Sequence, residues 1–118
     1  MLHILGLCFP WAGKYVIDQH NEGAVLCHGR VTMPFSDPPE QILHAWVEHN
    51  GLCLDWQTME AGCGGIYQGK GYPIGIFYEL YTPDPVVKYD YSEALDMLVS
   101  QTHWGPWHAR FNLFVDAA

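Results

Sequence analysis

Apolar positions recur along this chain with two different periods. Trp11, Ala12, Tyr15 and Val16 fall at helical spacing, and Pro10 just ahead of them suits a helix's first turn. A helix is predicted over Phe9 to His20, stopped by Asn21-Glu22-Gly23, where glycine can take the left-handed C-terminal conformation. Ala24 to Met33 reads as a strand, and Pro34 to Gln41, with three prolines, as a loop. Leu43 to His49 and Leu52 to Trp56 flank Asn50-Gly51, the pair that favours a two-residue hairpin turn. Met59 to Pro73 is glycine-rich and reads as a flexible loop, followed by strands at Ile74 to Tyr81 and Val86 to Tyr89. Asp90 and Glu93 form a capping box that opens a second helix, running to about Gln101 with Tyr91, Ala94, Leu95 and Leu98 on its buried face. After an irregular aromatic stretch, Trp104-Gly105-Pro106-Trp107, a last strand is expected from Arg110 to Val115. The order predicts an α+β fold: an antiparallel sheet packed against an N-terminal helix and a second, C-terminal helix, in a single domain over residues 1–118.

The hairpin carries the first chemical information. A two-residue turn sets His49 opposite Leu52, Glu48 opposite Cys53, Val47 opposite Leu54 and Trp46 opposite Asp55. Ala45, Val47, Leu52, Leu54 and Trp56 then share a core face. His44, Trp46, Glu48, Cys53 and Asp55 share the other. His44 and Asp55 become diagonal neighbours, about 7–8 Å apart between backbones and within side-chain reach. A carboxylate there can bond one imidazole nitrogen and fix the tautomer. Trp46 on the same face asks for cover, and the first helix is expected to provide it.

Such a cover would bring Cys8 to His44. Cys8 stands where the first helix is predicted to begin, and a helix N-terminus favours negative charge and so suits a nucleophilic thiol. Cys8 would be the nucleophile, His44 the general base and then acid, and Asp55 the orienting carboxylate, with the Cys8 backbone N–H offered to an oxyanion. Cys27 reads as a core residue, Cys53 sits nearer the turn, and Cys63 lies in the glycine-rich loop. Trp46, Trp11 and Cys63 are the candidate substrate contacts.

The segments Leu7-Cys8-Phe9-Pro10-Trp11-Ala12, His44-Ala45-Trp46-Val47-Glu48 and Leu54-Asp55 occur in that order. Together they resemble the transglutaminase-like branch of the papain-like cysteine enzymes, in which a Cys opens a helix, a His opens a strand and an Asp lies on the next strand. The match spans about Gly6 to Trp56, under half the chain, and its most specific part is His-Ala-Trp. The resemblance implies a minimal version of that core, of phage or bacterial kind. The activity it implies is that of a cysteine hydrolase or acyltransferase acting on an amide or acyl bond. Only seven residues precede Cys8, which leaves no room for an upstream glutamine as oxyanion donor, and His3 is the nearby polar alternative.

Composition narrows the partners. Of 118 residues, 49% are hydrophobic and 15% charged, a balance that supports a packed core. The net charge of −8, with no Lys/Arg run, lacks the basic footprint of a nucleic-acid binder. No apolar run reaches the roughly 18–20 residues of a membrane span, and the N-terminus lacks a signal peptide's basic region. A cytoplasmic protein with reduced thiols is expected, with no cofactor and no metal. Its partner would be a peptide, an amide or a small acyl compound. Two other functions stay open: an inactive interaction protein on the same fold that binds a protein partner, and a small-molecule binding module.

Overall fold

The computed structural model describes residues 2–20, 22–109 and 111, with side chains from residue 7 onward. Helix α1 covers Leu2–Asp18, and strands β1 (Val25–Met33), β2 (Glu40–His49) and β3 (Leu52–Leu54) follow. A single helical turn, α2 (Trp56–Met59), and a 3₁₀ turn (Gly65–Tyr67) lead into the short strand β4 (Tyr72–Pro73). Helix α3 (Ile74–Tyr81), strand β5 (Val86–Tyr89) and helix α4 (Tyr91–Gln101) come next among the described residues. The five strands form one antiparallel sheet in the order β4-β3-β2-β1-β5. The α+β class and both flanking helices are as the sequence predicts.

The hairpin register is also as predicted over its paired length: Val47 faces Leu54, Glu48 faces Cys53 and His49 faces Leu52. Pairing stops there. Asp55 leaves the ladder with φ −140° and ψ 171° and caps α2, its side chain accepting a bond from the Thr58 N–H. Trp56, placed by the pattern on the core face of a strand, instead starts that helical turn. Because β3 is three residues long, residues 42–46 of β2 have no strand partner on that side, and the sheet has a notch there.

Both faces of the sheet are buried. The stripe Cys8, Phe9, Ala12 and Val16 of α1 packs with Leu26, Leu43, Ala45, Val47 and Leu54 on one face, joined by Ala94 of α4. The helix therefore covers the apolar hairpin face, not the polar one as expected. The physical reason is complementarity: an apolar helix stripe gains most by burying against the aliphatic face.

The polar face is covered by α3. The sequence reading placed a strand at Ile74 to Tyr81, and the chain forms a helix there. Ile, Phe and Tyr favour strands by propensity, yet Ile74, Phe77, Tyr78 and Tyr81 all pack into one cluster with Trp46, Cys53 and Tyr72. Their i, i+3, i+4, i+7 spacing is a helical stripe, so packing overrides propensity. Glu48 ties this helix down, accepting bonds from the Tyr78 hydroxyl at 2.6 Å, the Lys88 ammonium at 2.9 Å and the Trp46 indole at 3.3 Å.

Other expectations need smaller adjustments. Helix α1 starts at Leu2 rather than near Phe9, so Pro10 lies inside it. The capping box at Asp90 and Glu93 forms as read, with bonds of 2.8 and 3.1 Å, although Leu95 of α4 faces solvent. The glycine-rich stretch holds α2's end, the 3₁₀ turn and β4. The strand expected at Arg110 to Val115 lies outside the described residues except for Phe111, which is buried in the α1 cluster.

Gly29 decides how the polar face closes. It pairs with His44 across β1 and β2, and a Cβ there would sit 2.7 Å from the Trp46 ring. Trp46 is thereby free to lie over β1 and to stack on the His44 ring, with centroids 6.0 Å apart and an interplanar angle of 24°. Gly29→Ala should cost about 1–3 kcal/mol of stability through overpacking and shift the His44 ring resonances. Denaturant unfolding with an NMR spectrum checks this; unchanged stability and spectrum would show that Trp46 does not need the gap.

Candidate functional site

In the notch beside β2, His44 and Asp55 are bonded to each other and Cys8 lies nearby. His44 and Asp55 are both buried, and the His44 Nε2 lies 3.0 Å from the Asp55 Oδ2. The other oxygen of Asp55, Oδ1, accepts the Thr58 N–H at 2.8 Å. This cap starts α2, whose next residue but one, Gln57, points its amide at Cys8. The Cys8 Sγ is 3.1 Å from Gln57 Nε2 and 3.3 Å from its Oε1. Cys8 also lies near enough to His44 to favour that ring's charge, while the His44 Nδ1 is buried without a hydrogen-bond partner. Helix α1 thus reaches a side chain on the opposite face of the sheet through the gap left by the early end of β3.

The electrostatics suit a proton-carrying imidazole. Burial opposes charge on His44, but the Asp55 hydrogen bond and the neighbouring Cys8 overcome it, and the ring keeps its proton above the ordinary imidazole range. Burial likewise opposes charge on Asp55, and the bonds from His44 and Thr58 prevail, lowering its pKa. Cys27 and Cys53 are different. Burial first, and then the nearby Glu48 charge, pushes both thiols up, which makes them poor nucleophiles.

A cleft of about 200 Å³ opens onto His44, Asp55 and Gln57. Val31, Met33, Phe35, Ile42, Tyr72 and Tyr81 also line it. Cys63 also lines it and is exposed; its backbone N–H donates to the Gln57 carbonyl at 3.0 Å, which fastens the glycine-rich loop to α2. Cys8 itself has no exposed surface and does not line the cleft, whereas the Gln57 bonded to it does.

The two predicted tryptophan contacts are elsewhere. Trp46 is fully buried beneath α3 and does not line the cleft. Trp11 bonds Glu60 at 3.3 Å beside a separate open groove with Lys14 and Asp18. The helix-end argument for Cys8 fails as well. With α1 starting at Leu2, the thiol lies in the second turn, and the Cys8 N–H belongs to the helical ladder. The His3 side chain, suggested as an oxyanion donor, lies outside the described residues. Gln57 was not anticipated. Its signal was Asp55-Trp56-Gln57-Thr58, which reads as an N-cap and first turn once the strand is allowed to end at Leu54.

A second histidine is buried without a role in this cluster. His28 packs against Phe9, Tyr89 and Trp107 at centroid distances of 4.8, 5.3 and 5.0 Å, and neither ring nitrogen has a hydrogen-bond partner. Among the described residues, no group of three or more His, Cys, Asp and Glu could hold a metal ion, and no helix is long and apolar enough to cross a membrane. Comparisons with protein-family models, curated proteins and solved structures returned no match.

Two predictions follow from these charges. Asn at position 55 keeps the capping oxygen but not the charge, so Asp55→Asn should lower the His44 titration by about 1–3 pH units. NMR of the ring checks it, and an unmoved titration would remove Asp55 from control of the imidazole. Burial pushes His28 down to about 3, below its unfolded value of about 6.5. The unfolded chain therefore binds an extra proton between those limits, and stability falls as pH drops from 6.5 towards 3. The slope from this residue is about 1.4 kcal/mol per pH unit. Unfolding of His28→Leu across this range should show an acid limb shallower by that amount; an equally steep limb would overturn the assignment.

Proposed function

We propose that the protein is a cysteine hydrolase or acyltransferase acting on an amide or acyl bond, with Cys8 as nucleophile, His44 as proton carrier and Asp55 as its orienting counter-charge. The observation that carries this reading is the His44 ring, bonded to Asp55 at 3.0 Å and influenced by Cys8, at the base of a cleft. The order of Cys, His-Ala-Trp and Asp segments, which resembles that of transglutaminase-like enzymes, is consistent with it.

In the proposed reaction the Cys8 thiolate adds to a substrate carbonyl. The carbon–nitrogen bond breaks as His44 passes its proton to the leaving amine, and a thioester remains on Cys8. Water or an acceptor amine then gives a proton to His44 and attacks the thioester. The carbon–sulfur bond breaks, and the acid or new amide leaves. Asp55 holds the ring orientation and balances the imidazolium throughout. Access to Cys8 requires the Gln57 amide to move aside, and the freed amide N–H is then a donor close to the sulfur.

One observation favours a second reading. Cys8 has no exposed surface, which suits a binding module in which Cys8, Gln57, His44 and Asp55 serve only to hold the notch together. Iodoacetamide labelling, followed by mass spectrometry of the Cys8 peptide, separates the two. The enzyme reading expects Cys8 to label in the folded protein and the rate to fall about tenfold or more in His44→Ala with folding intact. Labelling that tracks global unfolding and ignores His44 would leave the binding module. Peptide-level readout avoids replacing Cys27 and Cys53, which are buried in the core.

A further inference from the structure

The cleft itself constrains what can enter. Its volume of about 200 Å³ is below the roughly 300–1,000 Å³ of sites that enclose drug-sized ligands, so it admits one large side chain or acyl group. One wall is aliphatic, from Val31, Met33 and Ile42. At its lip stands Phe35, 93% exposed directly after Pro34, a large apolar ring with nothing over it. A lone exposed apolar residue is ordinary; this one borders a cleft that reaches His44 and Asp55.

The tyrosine part of the lining is polar but uncharged. The Tyr72 and Tyr81 hydroxyls lie 3.2 Å apart. Two phenols carry two hydrogens, and the bond between them uses one, so the pair keeps a second to offer; Tyr72 is buried and Tyr81 is the more exposed of the two, so Tyr81 is the one that can present it. Tyr81 stays a neutral phenol because burial, the Tyr72 hydrogen bond and the nearby Tyr72, Asp55 and Cys63 all oppose its ionisation. No lysine or arginine lines the cleft among the described residues. The His44 charge is already matched by Asp55, and the whole chain carries −8. A ligand carboxylate would be desolvated there without a counter-ion, which disfavours its binding.

Resting on the reading of this cleft as the substrate side of the Cys8 site, we infer that it is a subsite for a neutral apolar group of single-side-chain size bearing a carbonyl acceptor, gripped by Phe35 and the Tyr81 hydroxyl, and that it rejects carboxylates. The substrate class is then a neutral amide with a bulky apolar side chain, not an acidic peptide or a free amino acid.

The test is binding by NMR titration of the whole wild-type chain. The probes are N-acetylphenylalaninamide, its carboxylate counterpart N-acetylphenylalanine, and N-acetylglycinamide. The phenylalaninamide should give saturable shifts at Val31, Ile42 and Tyr81, with the other two probes at least fivefold weaker. Phe35→Ala and Tyr81→Phe, both at positions with exposed surface, should each weaken phenylalaninamide about twofold or more, as loss of a contact or one hydrogen bond requires. Absence of saturable shifts in the cleft, a discrimination below fivefold, or unchanged affinity in either variant overturns the inference. Iodoacetamide labelling of Cys8 is read separately. Selectivity with an unreactive Cys8 would sink the enzyme and keep the cleft, whereas a His44-dependent Cys8 without selectivity would do the reverse.

Discussion

The carboxylate of Asp55 is the constraint on which the site's geometry depends. One oxygen accepts from the Thr58 N–H and the other meets the His44 ring. The first bond turns the chain out of β3 into α2, leaving β2 without a strand partner on the β3 side of His44. The second fixes the imidazole in that gap. The turn also delivers Gln57 to Cys8. A single buried anion therefore ends a strand, starts a helix, opens the sheet and orients an imidazole. Its cost in desolvation is offset only because both oxygens are bonded.

Around this point the two faces of the sheet have separate duties. The α1 and α4 face holds the larger apolar core and supplies bulk stability. The α3 face is aromatic and polar, organised by Glu48 through three hydrogen bonds and by Trp46 lying across Gly29. The notch joins the faces, so that a thiol from one approaches an imidazole from the other. Tyr81, at the end of α3, reaches the same cleft, so the helix that covers Trp46 also supplies a wall of the candidate site.

The hairpin was legible because Asn50-Gly51 fixes a register, and the register alone put His44 and Asp55 on one face. The capping box at Asp90 was legible because its two bonds are local. Helix α3 was hidden by composition: its aromatic and β-branched residues argue for a strand, while the deciding 74, 77, 78, 81 stripe has meaning only against a partner surface. The side covered by α1 was hidden for a related reason, since the sequence shows that a stripe exists but not which sheet face receives it. Gln57 was masked by extending β3 to Trp56. Reading Asp55 as a cap would have ended the strand sooner and exposed the amide beside the thiol.

The placement of the cysteines has a consequence for how the molecule ages. Cys27 and Cys53 are sealed in the core, and Cys8 has no exposed surface, while Cys63 stands in the open at the rim of the cleft. A peroxide arriving from solvent meets Cys63 first, and a sulfenic acid formed there condenses with another thiol. Where that thiol is the Cys63 of a second molecule, oxidation would cap the cleft mouths of two chains against each other while the inner sulfur stayed reduced. Reductant in storage would therefore preserve access to the cleft before it preserved the thiol within.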